Sequence, residues 1–440
     1  MQVSVETTSG LERRLTVGVP AERVDQEVDN RLQQAKKNVR LPGFRPGKVP
    51  MRIMRQRFGA GVRQEVLGEV MSQSFQDAVV QEKLRPAGQP AIEPRRMEAG
   101  QDLEYVATFE IFPEIELNAV SGFRVDKPAA TVTEEDVDHI IDVFRRQQGS
   151  WTVVERPAAA GDRVNLDYRG TRGGEPFEGG SAEGTELEIG AGRMIPGFED
   201  AVVGLAAGEE KTVALTFPED YHDEKLRAAA VEFWIRVNSV SELEPAPLDA
   251  SLFAAYGVDS EDEAAFRREV AENMERELRK EVTARVKQQV MDALLAAHEQ
   301  LEVPQALVSQ EIDAMRRQMF QQFGGAGDNL DLKSLLPDDM FAERAERRVK
   351  LGLLLAELIS QRGLTADSDR VRREIEELAS TYQEPEEVIN YYYGNQEQLQ
   401  GVESKVLEDQ MVDLLLEGAE VVEQPCSYQE AINQGQQANA

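Results

Sequence analysis

The chain has 440 residues, 41% hydrophobic and 30% charged, and its 49 Lys and Arg against 81 Asp and Glu leave a net charge of −32. That length predicts about three domains with buried cores, and the charged share predicts much surface and an elongated outline. The single Cys426 excludes an internal disulfide, the scattered His139, His222 and His298 offer no zinc spacing, and no apolar run approaches the roughly 20 residues of a membrane span, so no metal, cofactor or membrane contact is expected.

The opening MQVSVETTSG lacks the charged-then-apolar pattern of a signal peptide, which predicts a cytoplasmic protein. Residues 1–20 alternate apolar and polar as a strand does, and 21–38 carry a helical stripe at Val24, Val28 and Leu32. LPGFRPGKVP follows at 41–50. Pro42, Pro46 and Pro50 fix their own φ and push the preceding residue toward extended conformations, while Gly43 and Gly47 admit φ above zero. The loop is therefore stiff and shaped, and its tip offers Phe44, Arg45 and Lys48 to solvent.

A Pro/Gly-rich turn can do no more than join two helices, but the charge around this one is unusual. From Arg31 to Gln64 there is no Asp or Glu, yet there are ten cations: Arg31, Lys36, Lys37, Arg40, Arg45, Lys48, Arg52, Arg55, Arg57 and Arg63. Residues 1–112 hold 17 basic and 15 acidic residues, so the whole negative excess lies beyond them. A basic island on an acidic chain suits contact with a polyanion such as RNA. A phosphate-cradling NTPase loop does not fit, because only three residues separate Gly43 from Gly47 and Val49 follows the lysine where Ser or Thr is needed. Pro50 suits the first turn of a second helix reaching Phe58, a third helix spans 60–83, and Leu103, Tyr105, Ala107 and Phe109 alternate along a strand that closes a compact α+β domain at 112.

Residues 113–132, with Pro113 and Pro128, read as an extended connector, and EEDVDHIIDVFRRQQ as an amphipathic helix over 134–148. The texture then changes. Many glycines, the short runs RVNLDYRG, ELEIG, KTVALTF and VEFWIRV, and the exit EPAP predict an independent small β-rich domain over 151–246. Beyond it Phe266, Val270, Met274, Leu278, Val282, Val286 and Val290 recur every fourth residue, marking one helix of about 38 residues or two nearly continuous ones. FGGAGD and LLPDD interrupt later helices, and the polar ending predicts disorder over 431–440.

Within 151–246, VNLDYRGTRGGEPFEGG, LEIGAGRMIPGFEDAVVGLAAGEEKTVALTFPEDYH and VEFWIRV resemble the FKBP family of peptidyl-prolyl isomerases, the order FEGG, IPGFE, GLAAGE carrying the match. The resemblance implies a pocket lined by Tyr168, Phe177, Glu178, Leu187, Met194, Ile195, Phe198, Tyr221 and Phe233, with Phe198 as its floor, Glu178 at an acidic position, and the Ile195 backbone N–H offered to the substrate carbonyl. The reaction accounts for the aromatic residues. Rotating an X-Pro amide breaks its resonance against a barrier of about 18–20 kcal/mol but makes and cuts no bond, so no nucleophile is needed. An apolar pocket disfavours the charge-separated planar amide relative to the twisted transition state. The same aromatics would also suit the core of a small barrel. LRAAAVEF lacks the Gly-Lys pair familiar before the last strand, and glutamate replaces aspartate at 178; both departures bear on catalytic strength, not on fold.

GFRPGKVP in a basic N-terminal domain, the FKBP-like insert and the long helical region, together with MQVSVETTSGLERR and NMERELRKEV, resemble the bacterial trigger factor family of ribosome-associated chaperones over residues 1–430. The resemblance implies a multidomain α+β fold: a ribosome-binding α+β domain at 1–112, a connector and helix at 113–150 packing on the C-terminal domain, an FKBP-type β-rich domain at 151–246, and an elongated all-α chaperone domain at 247–430. It implies that Gly43, Phe44, Arg45, Pro46, Gly47 and Lys48 dock on protein and rRNA of the large ribosomal subunit near the exit tunnel. Nascent and unfolded polypeptides would be the other partners, with room for a homodimer off the ribosome. Pro46 stands where a basic residue is familiar. Two other readings stay open in the sequence: a dedicated prolyl isomerase with adaptor domains, and an RNA-binding assembly factor with an inactive FKBP-like module.

Overall fold

The computed structural model describes residues 1–440 apart from 40, 43, 46, 119, 120, 222, 323–331, 381, 383, 439 and 440 and the side chains of 434–438. Gly43 and Pro46, two of the residues expected to dock, and the FGGAGD stretch thus lie outside the described residues. Contacts divide the chain into two compact units, Met1–Lys127 with Arg285–Val422, and Pro128–Ala284 with Glu423–Ala440.

In the first unit the alternation over 1–20 forms two strands where one is expected, Gln2–Ser9 and Glu12–Val19, turning at Gly10. They continue through Leu103–Glu110 to Ala91–Arg96 in a four-stranded antiparallel sheet. Ala91–Arg96 has no counterpart in the sequence reading because Pro94 argues against a strand, and an edge position tolerates the missing donor. Leu15, Val17, Tyr105, Ala107 and Phe109 pack against Val66, Val70 and Ala78 of a helix on one face. The buried Tyr105 hydroxyl lies 2.9 Å from Ser74 Oγ and donates to the Met71 carbonyl at 3.0 Å.

That helix, Met51–Gln81, is continuous where the sequence suggests two. Gly59 and Gly61 each cost about 1 kcal/mol relative to alanine. Met54, Val66 and Val70 are buried, and a fully buried side chain of this kind contributes about 1.5–3 kcal/mol, so tertiary burial outweighs the local penalty. The remaining helices of this unit pair through small cores. Val308 and Ile312 of Gln305–Gln322 meet Phe341 and Ala345 beside Ala342–Arg362, and Val371 and Ile375 of Ser368–Ala379 meet Val402 and Val406 of Gln396–Leu416.

In the second unit, Thr133 and Asp136 form a reciprocal capping box that starts the helix Glu134–Gln147. Its Val137 and Ile141 pack on Phe266, Val270, Met274 and Leu278 of the helix Glu263–Ala297, a single element of 35 residues. Side chains four apart rotate about 40° per step around a helix, so the stripe from Phe266 to Val290 winds round it instead of keeping to one face. The same core holds Tyr428 and Ala431 of a final helix, Tyr428–Ala438. The disorder expected over 431–440 is therefore corrected for 431–438: the polar composition hides an apolar edge, and Tyr428 donates to Glu277 Oε2 at 3.1 Å. The connector also contains a strand, Arg124–Ala129, paired with Glu420–Pro425.

The β-rich region of this unit is a five-stranded antiparallel sheet. Ala230–Glu244 pairs Arg163–Arg172 along one side and Ser150–Val154 and Glu210–Thr216 along the other, and Glu175–Glu188 forms the far edge. Val164, Leu166, Ile235 and Val237 are fully buried, and the short helix Phe198–Val202 adds Phe198 and Val202 to this core.

Candidate functional site

Strand register brings the first aromatics together. Phe233 pairs opposite Gly170 and Ile235 opposite Tyr168, so alternate side chains of two strands converge on one end of the sheet. Tyr168 and Phe233 stand 6.0 Å apart between ring centroids, and Phe177 meets Phe233 edge-on, also at 6.0 Å. Two glycines make room for Phe177: a Cβ on Gly170 or on Gly180 would lie 2.8 Å from its ring. The result is a cleft of about 400 Å³ lined by Tyr168, Phe177, Glu178, Met194, Ile195, Tyr221 and Phe233.

Seven of the nine residues named from sequence thus line one cavity. The other two lie beneath it. Phe198 is 0% exposed and touches the cavity only through its edge-on contacts with Tyr168 (5.6 Å) and Phe233 (5.3 Å), and Leu187 is buried in the core. The cleft has further walls that the sequence reading does not name: Arg193, Pro196, Phe217, Pro218, Asp223 and Leu226. Phe217 meets Tyr221 in a tilted contact at 4.6 Å and Phe177 edge-on at 5.9 Å. Its position just past the alternating run of Glu210–Thr216 and before a proline is the only local signal it carries.

The backbone beside Ile195 is held by a carboxylate. Glu199 accepts hydrogen bonds from the N–H groups of Gly190 (2.8 Å), Gly192 (3.1 Å), Arg193 (2.8 Å) and Met194 (3.3 Å). The next N–H, that of Ile195, has no hydrogen-bond partner among the described residues and borders the cleft. Gly197, at φ 85°, takes a left-handed conformation that turns the chain into the short helix carrying Phe198 and Glu199.

Burial alone would raise the Glu199 carboxyl, but its four backbone donors outweigh burial and hold it below the ordinary glutamate range. Burial likewise opposes Asp162, yet Arg156 grips it with two bonds, at 2.6 and 2.9 Å, and the Ala159 N–H adds a third, so it too is held low. A carboxyl whose folded value is depressed contributes stability that is complete above its unfolded value and is lost as pH falls through the folded one. The melting temperature of the β-rich region should therefore fall steeply only below about pH 4. Melts across an acid series check this, and Asp162→Asn combined with Glu199→Gln should flatten the acid limb.

The described flanks of the loop at 41–50 are anchored. Leu32, Val49 and Met54 are 0% exposed in a small core that also takes Leu41, while Phe44 is 38% exposed at the tip. Two turns, Phe44 N–H to Leu41 O (3.1 Å) and Lys48 N–H to Arg45 O (3.0 Å), shape the part between, with Gly47 at φ 78°. Arg45 and Lys48 are exposed, and neither side chain is ion-paired among the described residues. The sequence reading gives the flanking Leu41 no role and uses Val49 only to set aside an NTPase loop, not as an anchor.

Residues 1–144 match the family described as bacterial trigger factor protein, 264–417 match the trigger factor C-terminus, and 154–239 match FKBP-type peptidyl-prolyl cis-trans isomerase. The trigger factor of Cellvibrio japonicus is 56% identical over 432 residues, covering 98% of this chain and 99% of its own. That of Alcanivorax borkumensis is 52% identical over 439 residues, 100% of each chain to the nearest per cent, and that of Saccharophagus degradans 51% identical over 436 residues, 98% of each.

Proposed function

The chain belongs to the bacterial trigger factor family, and from that premise we propose that it is a cytoplasmic chaperone that docks on the large ribosomal subunit near the exit tunnel, shields apolar segments of nascent polypeptides and isomerises their X-Pro bonds. The division of labour we assign is ribosome docking to 1–112, isomerisation to 151–246, and client binding to the helices of 247–430 with the helix of 113–150. Off the ribosome the chain would be free to form a homodimer.

The observation that carries the docking assignment is that apolar Phe44 and cationic Arg45 and Lys48 are exposed between flanks anchored by Leu41 and the buried Val49. An apolar group with two cations suits a surface of protein and RNA, and a pre-shaped loop loses little entropy on binding. In the cleft, the Ile195 N–H would hold the substrate carbonyl while Tyr168, Phe177, Tyr221 and Phe233 enclose the proline ring. Glu178 stands at the rim, and Phe198 and Leu187 support the walls from below. With water excluded, the planar amide loses the solvation that favours its charge separation, and the twisted form is relatively stabilised.

Replacing Phe44, Arg45 and Lys48 together by alanine should abolish cosedimentation with large ribosomal subunits while leaving the circular dichroism spectrum unchanged, because none of the three belongs to a core. Undiminished cosedimentation would remove the docking assignment.

A further inference from the structure

The ten cations of the acid-free stretch do not have equal standing in three dimensions. Acids distant in sequence fold back onto three of them. Arg31 pairs with Glu69, Arg55 takes both oxygens of Asp29 at 2.9 and 2.5 Å, and Arg63 bonds Asp25 at 2.9 Å and the Glu98 carbonyl at 3.0 Å. Arg40 lies outside the described residues. Besides Arg45 and Lys48 of the loop, Lys36, Lys37, Arg52 and Arg57 make no ion pair and no side-chain hydrogen bond among the described residues, and all but the half-buried Lys36 are exposed.

These four flank the loop. Lys36 and Lys37 stand in the last turn of the helix Ala21–Asn38, and Arg52 and Arg57 in the first two turns of Met51–Gln81, so Arg57 lies about 9 Å along that axis from its start. The helix dipole accounts for the lysines at a C-terminus but not for Arg52, which occupies a first turn that has no acidic residue, where a negative group is favoured. Six like charges around one loop also repel each other in the free chain, a cost that a polyanion removes. We propose that the rRNA-contacting surface extends beyond the loop to Lys36, Lys37, Arg52 and Arg57, each neutralising phosphate, whereas Arg31, Arg55 and Arg63 are internal braces that take no part. This rests on the ribosome-docking assignment above.

The test is the salt dependence of binding to purified large ribosomal subunits over a series of monovalent salt concentrations, with melting curves for every variant. The log of the binding constant should fall linearly with log salt, and Lys36→Ala/Lys37→Ala and Arg52→Ala/Arg57→Ala should each make that slope shallower by about 1.4–1.8, two phosphates' worth. The charge-balanced Arg55→Gln/Asp29→Asn, whose arginine lies between Arg52 and Arg57 on the same helix, should leave the slope unchanged. Wild-type binding with slopes identical in both alanine pairs would overturn the extended surface and leave loop docking standing. Equal flattening in the Arg55 pair would overturn the separation of braces from contacts. Binding with no salt dependence would assign the cations to a protein partner, and absence of wild-type binding at low salt would overturn the docking assignment itself.

Discussion

With residues 151–246 replaced by a short flexible linker, the chain is expected to fold, to bind ribosomes, and to delay aggregation of an unfolded client about as well as the intact protein. The ends of the excised segment are already adjacent. The Ala246 N–H donates to the Arg145 carbonyl at 2.9 Å, and Arg145 Nε donates to the Ala246 carbonyl at 2.9 Å, so a short linker closes the gap at little entropic cost. The cores are separate as well. Val164, Leu166, Ile235 and Phe198 form the centre of the β-rich cluster, whereas Val137 and Ile141 pack with Phe266, Val270 and Tyr428 in another. Among the described residues, removing the first takes from the second only the partly buried Ala246. The isolated 151–246 fragment should show the reverse profile: turnover of a short prolyl peptide with poor protection of a large client. Light scattering at matched concentrations and a peptide isomerisation assay on both proteins decide the matter. Protection that followed the fragment and vanished from the deletion would favour the dedicated isomerase.

Phe198→Ala should lower isomerase kcat/KM by roughly tenfold or more, equivalent to about 1.4 kcal/mol of transition-state stabilisation. Phe198 does not line the cleft. It is 0% exposed and braces Tyr168 and Phe233 edge-on, so its loss lets both walls relax into the void. A buried Phe→Ala change also costs about 3–5 kcal/mol of stability, and melting curves must accompany the kinetics. A well-folded Phe198→Ala protein with normal turnover would show that the walls do not depend on this floor.

The proline-rich loop and the aromatic cleft were legible because their chemistry is local. Proline and glycine constrain φ wherever they stand, and FEGG, IPGFE and GLAAGE lie within one short stretch. What escaped is decided at long range. Gly59 and Gly61 read as a break until the row running through Met54, Val66 and Val70 is seen to be buried across them. Residues 431–440 read as disorder because the ties of the final helix, Tyr428, Ala431 and Ile432, meet a core built from residues far away in sequence. The resemblance likewise put Leu187, and Phe198 as the floor, among the lining residues, whereas both are buried and neither borders the cleft. The grip of Glu199 on four backbone N–H groups could not be read from a motif that shows only a glutamate after phenylalanine. Pairing of Arg31, Arg55 and Arg63 with acids outside the basic stretch could not be read from charge density along the chain.

Cosedimentation of the intact chain with ribosomes that carry a stalled nascent polypeptide, beside ribosomes that carry none, tests the chaperone assignment most directly. The chain should pellet with both, and more strongly where a nascent chain emerges, because loop docking and client binding then act together and raise the effective affinity. The variant with alanine at 44, 45 and 48 should lose the pellet with empty ribosomes. Pelleting of the intact chain that was indifferent to the nascent polypeptide, and matched by generic RNA at equal salt, would contradict a nascent-chain chaperone and favour an RNA-binding assembly factor.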